Sequence, residues 1–297
     1  KALFVERFCR RFSSEAYHHP KHPDWLKLQA PRTTSVEKME SILQNFNVET
    51  VCKSAHCPNI GECFANGTAT FMILGTRCTR NCRFCAVENG QPVPPDPEEP
   101  LRLAEAVKRL NLKYVVVTSV TRDDLDDGGA SQFVDTIQAV RTICPGTKLE
   151  ILTPDFKGSS MPLQMVCDAR PDMFNHNIET VPRLYSRVRP QAIFDRSLRV
   201  LSFAAEQGLK VKSGMMLGLG ESEIEVEETL ASLLKTGCRY LTLGQYLAPS
   251  KMHEPVARYV QPHEFQKWAD KAKTMGFKEV ASGPLIRSSY KAEQMVA

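Results

Sequence analysis

Short, almost wholly apolar segments recur along the chain and alternate with segments of helical periodicity. An apolar run of about four to eight residues between turn residues predicts a strand buried on both faces of a parallel sheet. These runs predict strands at 69–74, 114–119, 148–152, 173–178, 210–217, 240–247 and 277–281. Helices are predicted between them at 101–110, 131–142, 161–168, 195–207, 223–235 and 262–275. Strict alternation of strand and helix indicates parallel βαβ units.

Polar residues recur where these predicted strands end. They include Thr118-Ser119, Asn175 to Asn177 and Gln245-Tyr246. In a barrel, the carboxyl ends of all strands meet at one mouth, whereas six βα units and a final strand are too few for a full eight-fold barrel. We therefore predict an α/β fold of the partial (βα)6 barrel type rather than a doubly wound sheet.

The segments that flank the predicted barrel differ from it in composition. Residues 1–33 contain three prolines and the whole basic excess of the chain, which suits either an acidic protein partner or a solvated arm. A short helix is predicted near 35–46, with Thr34 and Glu37 as a capping box. We predict an N-terminal arm and cysteine-rich extension over 1–66, the barrel over 67–283 and a C-terminal tail over 284–297.

Composition and charge exclude several classes of protein. The chain has 297 residues, a net charge of +4 and 42% hydrophobic residues, which is typical of a globular protein. No stretch approaches the roughly 18 apolar residues of a membrane span, and aromatic residues are too sparse for a nucleic-acid stacking platform. Ten cysteines without a signal peptide predict a reducing compartment. We expect the cytoplasm, with a mitochondrial or plastid matrix as the alternative.

Six of the ten cysteines form two triplets with different spacings, C-x4-C-x5-C and C-x3-C-x2-C. Structural zinc is usually held by four protein ligands, whereas three cysteines leave one iron of a four-iron cluster open. The spacing therefore favours iron–sulfur clusters, with a zinc-binding module that is not an enzyme as the alternative. The triplets are Cys52, Cys57 and Cys63, then Cys78, Cys82 and Cys85. The remaining cysteines lack such spacing and are interpreted as inert thiols.

The second triplet, Cys78-Thr-Arg-Asn-Cys82-Arg-Phe-Cys85, follows the first strand of the predicted barrel and resembles the radical S-adenosylmethionine (SAM) superfamily. The resemblance implies that these cysteines are catalytic and hold a [4Fe–4S] cluster whose open iron binds SAM. Cleavage of SAM then releases a radical that removes a hydrogen atom. Acid–base chemistry cannot break an unactivated C–H bond, so the cofactor must supply that reactivity.

Further motifs resemble the lipoyl synthase family within that superfamily, and the resemblance covers about residues 34–291. One is the first triplet itself, and another is Arg287-Ser288-Ser289-Tyr290 near the C-terminus. The other matching stretches are Thr118 to Gly129, Asn175 to Pro182, Gly214 to Glu221 and Gly244 to Leu247. Biotin synthase-like enzymes and methylthiotransferases remain alternatives, which the first triplet and the terminal motif disfavour. The stretch from Ser250 to Val256 departs from the family's usual HLPV, which leaves the local substrate contact open.

The resemblance to lipoyl synthases implies a radical sulfurtransferase reaction. Two sulfur atoms are inserted at C6 and C8 of an octanoyl chain on a lysine of a carrier protein. An auxiliary [4Fe–4S] cluster on Cys52, Cys57 and Cys63 supplies the sulfur, and its fourth ligand is Ser289, with Ser288 as the fallback. A serine oxygen matches iron less well than a thiolate, so this corner of the cluster is easily released.

The resemblance and the predicted mouth also suggest cofactor contacts and partners. Polar residues at predicted strand ends are candidates to bind SAM, although each is equally compatible with an ordinary polar position on the barrel rim. The candidates are Thr118, Ser119, Asn177, Glu179, Lys212 and Glu221. His56 and His176 are interpreted as structural. The expected partners are an octanoylated lipoyl carrier protein or domain, a reduced ferredoxin- or flavodoxin-type electron donor and an iron–sulfur carrier, with no nucleic acid and no membrane.

Overall fold

The computed structural model describes residues 23–26, 33–55, 57, 59–65, 69–290 and 292–295. The predicted basic arm lies almost entirely outside these residues, as does His56. Within them, no helix is both long enough and apolar enough to cross a membrane.

One eight-stranded sheet forms the centre of the described structure, with its strands in sequence order. The first strand pairs antiparallel with the second, and every later pairing is parallel. Among the described residues no pairing joins the first and last strands, so the sheet is open, as the predicted partial barrel requires. The strands are β1 (Glu49–Thr50), β2 (Thr70–Ile73), β3 (Tyr114–Ser119), β4 (Lys148–Leu152), β5 (Met173–Asn175), β6 (Val211–Leu217), β7 (Tyr240–Gln245) and β8 (Glu279–Gly283).

Helices cover the outside of the seven parallel strands. All residues of β2 and β7 are buried, which confirms the inference from their continuous apolar runs. The helices are α1 (Thr33–Asn45), α2 (Val51–Ser54), α3 (Ile60–Ala65), α4 (Glu99–Arg109), α5 (Ala130–Ile143), α6 (Ser160–Asp168), α7 (Tyr185–Val188), α8 (Phe194–Glu206), α9 (Glu223–Lys235) and α10 (Pro262–Met275).

Several boundaries differ from the sequence-based expectation. Helix α1 begins at Thr33, so Thr34 lies inside the helix and the prediction that it is the cap is wrong. Strand β5 is shorter than the predicted 173–178, because the regular pairing stops after Asn175; Glu179, whose φ is 66°, then forms an isolated bridge with Met215 of β6. The sequence pattern did not predict the short elements β1, α2, α3 and α7.

The tail after β8 runs from the mouth back toward the amino ends of the strands. It ends in a 3-10 helix, Ala292–Met295. Met295 is buried against Met173 and Tyr240, which are the first residues of β5 and β7. The tail therefore spans the barrel from its carboxyl end to its amino end, which places its serines between the two.

Candidate functional site

The second cysteine triplet lies on the loop after β2, and backbone groups hold its first cysteine. The backbone N–H groups of Arg80 and Thr121 lie 3.4 and 3.3 Å from Cys78 Sγ and donate to it. Thr79 ties the same loop to the end of β3, because its hydroxyl donates to the Thr121 carbonyl at 2.9 Å. The loop is thus held in a fixed conformation by the neighbouring strand end.

Arg80 fixes this loop from the other side. Its guanidinium donates to Asp123 at 2.7 and 2.9 Å and to Asp155 at 2.6 Å. Arg196 of α8 also donates to Asp155, at 2.8 Å. Arg80 is 6% exposed, so these charges are largely shielded from water. No local pattern in the sequence predicted this network, because its four members lie in four separate segments of the chain.

The segment that departs from the HLPV pattern covers the second triplet loop. His253 Nε2 lies 3.0 Å from the carbonyl oxygen of Cys85, and the Glu254 backbone N–H donates to the Arg83 carbonyl at 2.7 Å. The Glu254 side chain is buried and pairs with Arg187 at 2.9 Å. The segment that departs from the HLPV pattern therefore contacts the second triplet loop. The sequence alone did not reveal this contact.

Several predicted cofactor contacts lie at the mouth, where buried polar atoms lack partners among the described residues. Ser119, the last residue of β3, has an unpaired buried hydroxyl, and Asn177 has an unpaired buried Oδ1. His176 Nε2 and Arg189 Nε are also buried and unpaired. Because such groups are costly to leave without a hydrogen bond, their concentration at one end of the barrel fits a ligand with several polar groups.

Arg189 is a mouth residue that the sequence did not single out. Its Nη1 donates to the carbonyls of Asn177 and Ile178 at 3.1 and 3.2 Å. Burial raises the pKa of Glu179, and the charge of Arg189 opposes that rise. A half-buried cation and a half-buried carboxyl thus interact at the mouth, which suits a ligand that carries both charges. Nothing in the sequence separates Arg189 from the exposed arginines Arg183 and Arg187.

Thr118 and Glu221 lie at strand ends but already have protein partners. The Thr118 hydroxyl donates to the Leu152 carbonyl at 2.9 Å. The Glu221 carboxylate accepts from the backbone N–H groups of Gly218 and Leu219 at 2.6 and 2.9 Å. Glu221 therefore closes the turn after β6, in which Gly218 has a φ of 100° that favours glycine.

The prediction that Lys212 lies at the mouth is wrong. It is the second residue of β6 and is fully buried in the amino-terminal half of the barrel. Its ammonium group contacts both carboxylate oxygens of Glu150, at 2.9 and 3.1 Å. Tyr114 and Asn175 donate to the same carboxylate at 2.7 and 2.8 Å. A lysine in a buried strand needs such a partner, and Glu150 supplies it.

The first triplet spans α2, α3 and the loop between them, where Cys52 is buried while Cys57 and Cys63 are half-buried. Burial raises the pKa of Cys52 to about 11 and that of Cys63 to about 12. Burial likewise raises the pKa of Cys85, in the second triplet, to about 12. Buried thiols of this kind become thiolates when a metal supplies positive charge. Both triplets therefore fit metal binding.

Neither cysteine triplet forms a preformed site for a single metal ion within the described residues. Among the residues that the structure describes, no three Cys, His, Asp or Glu side chains converge on one metal position. Tetrahedral zinc brings its sulfur ligands to within about 4 Å of one another, since each Zn–S bond is about 2.3 Å. In a four-iron cluster each cysteine binds a different iron, so the sulfur atoms stand further apart.

The C-terminal tail contacts both the first triplet and the mouth. Asn59 donates to the Leu285 carbonyl at 2.6 Å, and the Tyr290 hydroxyl donates to Glu62 at 2.9 Å. On the other side, the Ser288 hydroxyl accepts from Asn177 Nδ2 at 2.9 Å. Ser289 is half-buried in the turn that this tail makes. Its role as a cluster ligand stays a prediction.

Comparisons with known proteins agree with this geometry. Residues 72–233 match the Radical SAM superfamily. The chain is 54% identical over 273 residues to a lipoyl synthase of Caldanaerobacter subterraneus subsp. tengcongensis, covering 91% of this chain and 95% of the relative. It is 51% identical over 276 residues to a lipoyl synthase of Caldicellulosiruptor saccharolyticus, covering 92% and 97%.

Solved structures show the same fold at low identity. Streptococcus suis SuiB bound to S-adenosylmethionine superposes with a TM-score of 0.56 at 12% identity, over 75% of this chain and 54% of that one. The SuiB complex with its precursor peptide SuiA gives 0.54 at 13% identity, over 94% and 59%. These similarities concern the fold of the barrel alone.

Proposed function

The chain belongs to the lipoyl synthase family of the radical SAM superfamily, and on this basis we propose that it inserts two sulfur atoms at C6 and C8 of an octanoyl chain carried on a protein lysine. The observation that carries the proposal is the pair of cysteine triplets, one at the mouth and one held against the tail. The second triplet, at the mouth, would serve SAM cleavage, and the first triplet would hold the sulfur source that the insertion also requires. Two [4Fe–4S] clusters and SAM are the cofactors of this family.

The second triplet is proposed to hold the cluster that binds SAM. Cys78, Cys82 and Cys85 lie on a loop that Arg80 and Thr79 fix to the end of β3, so their thiolates are placed before the cluster arrives. When bound, one cluster with SAM supplies the hydrogen-abstracting radical and the other supplies sulfur. The protein orients these groups and excludes water from a reactive radical.

The first triplet is proposed to hold the auxiliary cluster, with Ser289 as the fourth ligand. The tail is anchored to this region by Asn59 and Tyr290, which keeps the terminal motif close to Cys57 and Cys63. The hydroxyl of Ser288 faces Asn177 instead, which supports Ser289 over Ser288 as the ligand. A weak oxygen ligand suits a cluster that gives up its sulfide.

Polar groups at the mouth are proposed to bind SAM. Ser119, Asn177, Glu179 and Arg189 combine unpaired hydrogen-bonding atoms with one carboxyl group and one cation. A methionyl group carries an ammonium and a carboxylate, and a ribose carries hydroxyls, so this set has a partner for each. Thr118 and Glu221 are proposed to act indirectly, because their polar atoms hold the backbone around the mouth.

The partners and compartment follow from the proposed reaction. We expect an octanoylated lipoyl carrier protein as substrate, a reduced ferredoxin- or flavodoxin-type electron donor and an iron–sulfur carrier that rebuilds the consumed cluster. The proposed compartment is the cytoplasm, with an organelle matrix as the alternative. The division into an extension over 1–66, a barrel over 67–283 and a tail over 284–297 is part of the same proposal.

A sulfur-labelling experiment tests the function. The protein is reconstituted anaerobically with isotopically labelled sulfide and given an octanoylated carrier peptide, SAM and reductant for a single turnover. We expect about eight irons per chain and a dithiolated product that carries the label in both sulfur atoms. A Cys57→Ala variant should lose about half of the iron and all product, whereas Cys144→Ala should retain both. Unlabelled product, or zinc without iron, would contradict the proposal.

A further inference from the structure

The two adjacent serines of the tail face different sites. Ser288 Oγ lies 2.9 Å from Asn177 Nδ2, at the mouth. On either side of it, Leu285 and Tyr290 are bonded to Asn59 and Glu62 of the first-triplet region. The tail is therefore held by the first-triplet region while one of its side chains reaches the other site.

The hydrogen bonds of Asn177 determine which way its amide faces. An asparagine amide has two N–H donors and one oxygen acceptor. Nδ2 donates to Glu179 Oε1 at 3.2 Å and to Ser288 Oγ at 2.9 Å, so both donor directions are used. Oδ1 is buried and has no partner among the described residues, and Asn177 as a whole is only 9% exposed.

The unpaired oxygen lies against Gly214, which leaves room for it because glycine has no Cβ. A Cβ atom at Gly214 would lie 2.7 Å from Asn177 Oδ1 and 2.7 Å from Thr242 Oγ1. The Thr242 hydroxyl has the Ser213 carbonyl as its acceptor, at 3.5 Å, and does not satisfy Asn177. A buried amide oxygen that lacks a protein partner can accept a hydrogen bond from an O–H or N–H group of a ligand.

We propose that Ser288 is a positioning residue for the SAM site: it holds the Asn177 amide so that Oδ1 accepts a hydrogen bond from SAM. This inference rests on the proposed function. The two serines then have different roles, since Ser289 binds the auxiliary cluster and Ser288 positions Asn177 for SAM. A tail displaced from the first triplet would also withdraw Ser288, so SAM affinity depends on the tail being seated.

The test measures SAM affinity by anaerobic calorimetry on the reconstituted enzyme. For Ser288→Ala we expect about fivefold weaker SAM binding, the equivalent of one neutral hydrogen bond, with about eight irons per chain retained. Ser282→Ala is the matched control, because its hydroxyl donates to the Phe265 carbonyl at 2.8 Å, away from the site. It should bind SAM as the unaltered chain does.

A double-mutant cycle separates positioning from other effects. Asn177→Ala should weaken SAM binding by more than fivefold, and adding Ser288→Ala to it should cause no further loss, because Ser288 acts through Asn177. Unchanged affinity in Ser288→Ala, full additivity with Asn177→Ala, or loss of about half of the iron in Ser288→Ala would each overturn the inference. Absence of SAM binding by the unaltered chain would instead overturn the proposed function, and the inference with it.

Discussion

Arg80 and Asp155 form a buried ion pair, with 2.6 Å between Nη2 and Oδ1, although they lie 75 residues apart in the chain. Burial acts to raise the pKa of Asp155, but the hydrogen bond and charge of Arg80 overcome it and hold the pKa well below its usual range. Asp155 therefore stays ionised beside the second triplet loop. The second triplet loop follows β2, and its position therefore depends on a residue that follows β4.

Replacing Arg80 should destabilise the protein strongly. In Arg80→Gln the buried carboxylate of Asp155 keeps Arg196 as its one cationic partner among the described residues and the Lys157 backbone N–H as a donor, and removing one partner of a buried pair costs about 3–5 kcal/mol. The free energy of unfolding, measured by anaerobic denaturant titration, should fall by that amount. Arg102→Gln breaks the more exposed pair with Asp96 and should cost far less, because water screens an exposed pair. Equal losses in the two variants would contradict a special role for the Arg80 network.

A methyl group at Gly244 should displace the tail. Its Cβ would overlap the carbonyl oxygen of Ile286, which is a backbone atom and cannot rotate away. Gly244→Ala should therefore lose the auxiliary cluster, so iron falls from about eight to about four per chain, while SAM cleavage persists at a SAM concentration high enough to offset the weaker binding caused by the loss of Ser288. Gly146→Ala is the control, because a Cβ there meets no atom within 4 Å. Full iron content in Gly244→Ala would show that the tail does not need this close approach.

The buried pair of Lys212 and Glu150 should behave as a structural unit. Lys212→Met leaves Glu150 charged in the core, and we expect a loss of about 3–5 kcal/mol in the free energy of unfolding. The double variant Lys212→Met with Glu150→Gln should recover a substantial part of that loss, because no charge is then left unpaired. Calorimetry on the double variant should give unaltered SAM affinity. A large drop in that affinity would restore Lys212 as a cofactor contact.

His176 should make the protein less stable in mild acid. Burial lowers its pKa to about 4 from the usual value near 6.5, so between these values the unfolded chain binds a proton that the folded chain does not. Stability from this group is therefore present above pH 6.5 and is lost as the pH falls toward 4. Between pH 7.5 and 5.5 the expected loss is about 1.3 kcal/mol.

The measurement compares denaturant unfolding at these two pH values with that of His176→Gln, which lacks the titrating group. The difference between the two pH values should shrink by about 1.3 kcal/mol in the variant. His263→Gln, at an exposed position on α10, should keep the full difference. An unchanged pH dependence in His176→Gln would mean that other groups cause it.

The barrel was predictable because each parallel strand is a short apolar run, and burial on both faces imposes that composition directly. The segments β1, α2 and α3 were not predictable, because each spans only two to six residues. The cysteines in α2 and α3 also interrupt the pattern of hydrophobic and polar residues. The seven predicted parallel strands are confirmed, although their ends shift by up to three residues. Strand ends depend on tertiary contacts that a local pattern does not contain.

The site was predictable for residues whose type alone indicates their chemistry. Prediction failed for residues whose role depends on partners that are distant in the sequence. The six cysteines in two spacings indicate metal binding even when the fold is not known. Lys212 was misplaced because its partner, Glu150, lies 62 residues away and no local signal marks it. Arg80, Arg189 and Glu254 were missed for the same reason, since their importance comes only from what surrounds them in three dimensions.

The unjoined edge between β1 and β8 bears on how such an enzyme survives its own reaction. All strand pairings lie within the series from β1 to β8, so the tail can swing outward without breaking any of them. Such a movement gives up the side-chain links made by Asn59 and Tyr290 at the first triplet and by Ser288 at the mouth, together with the burial of Met295. Replacement of the consumed auxiliary cluster is thus compatible with an intact barrel, and one protein molecule is suited to multiple turnovers.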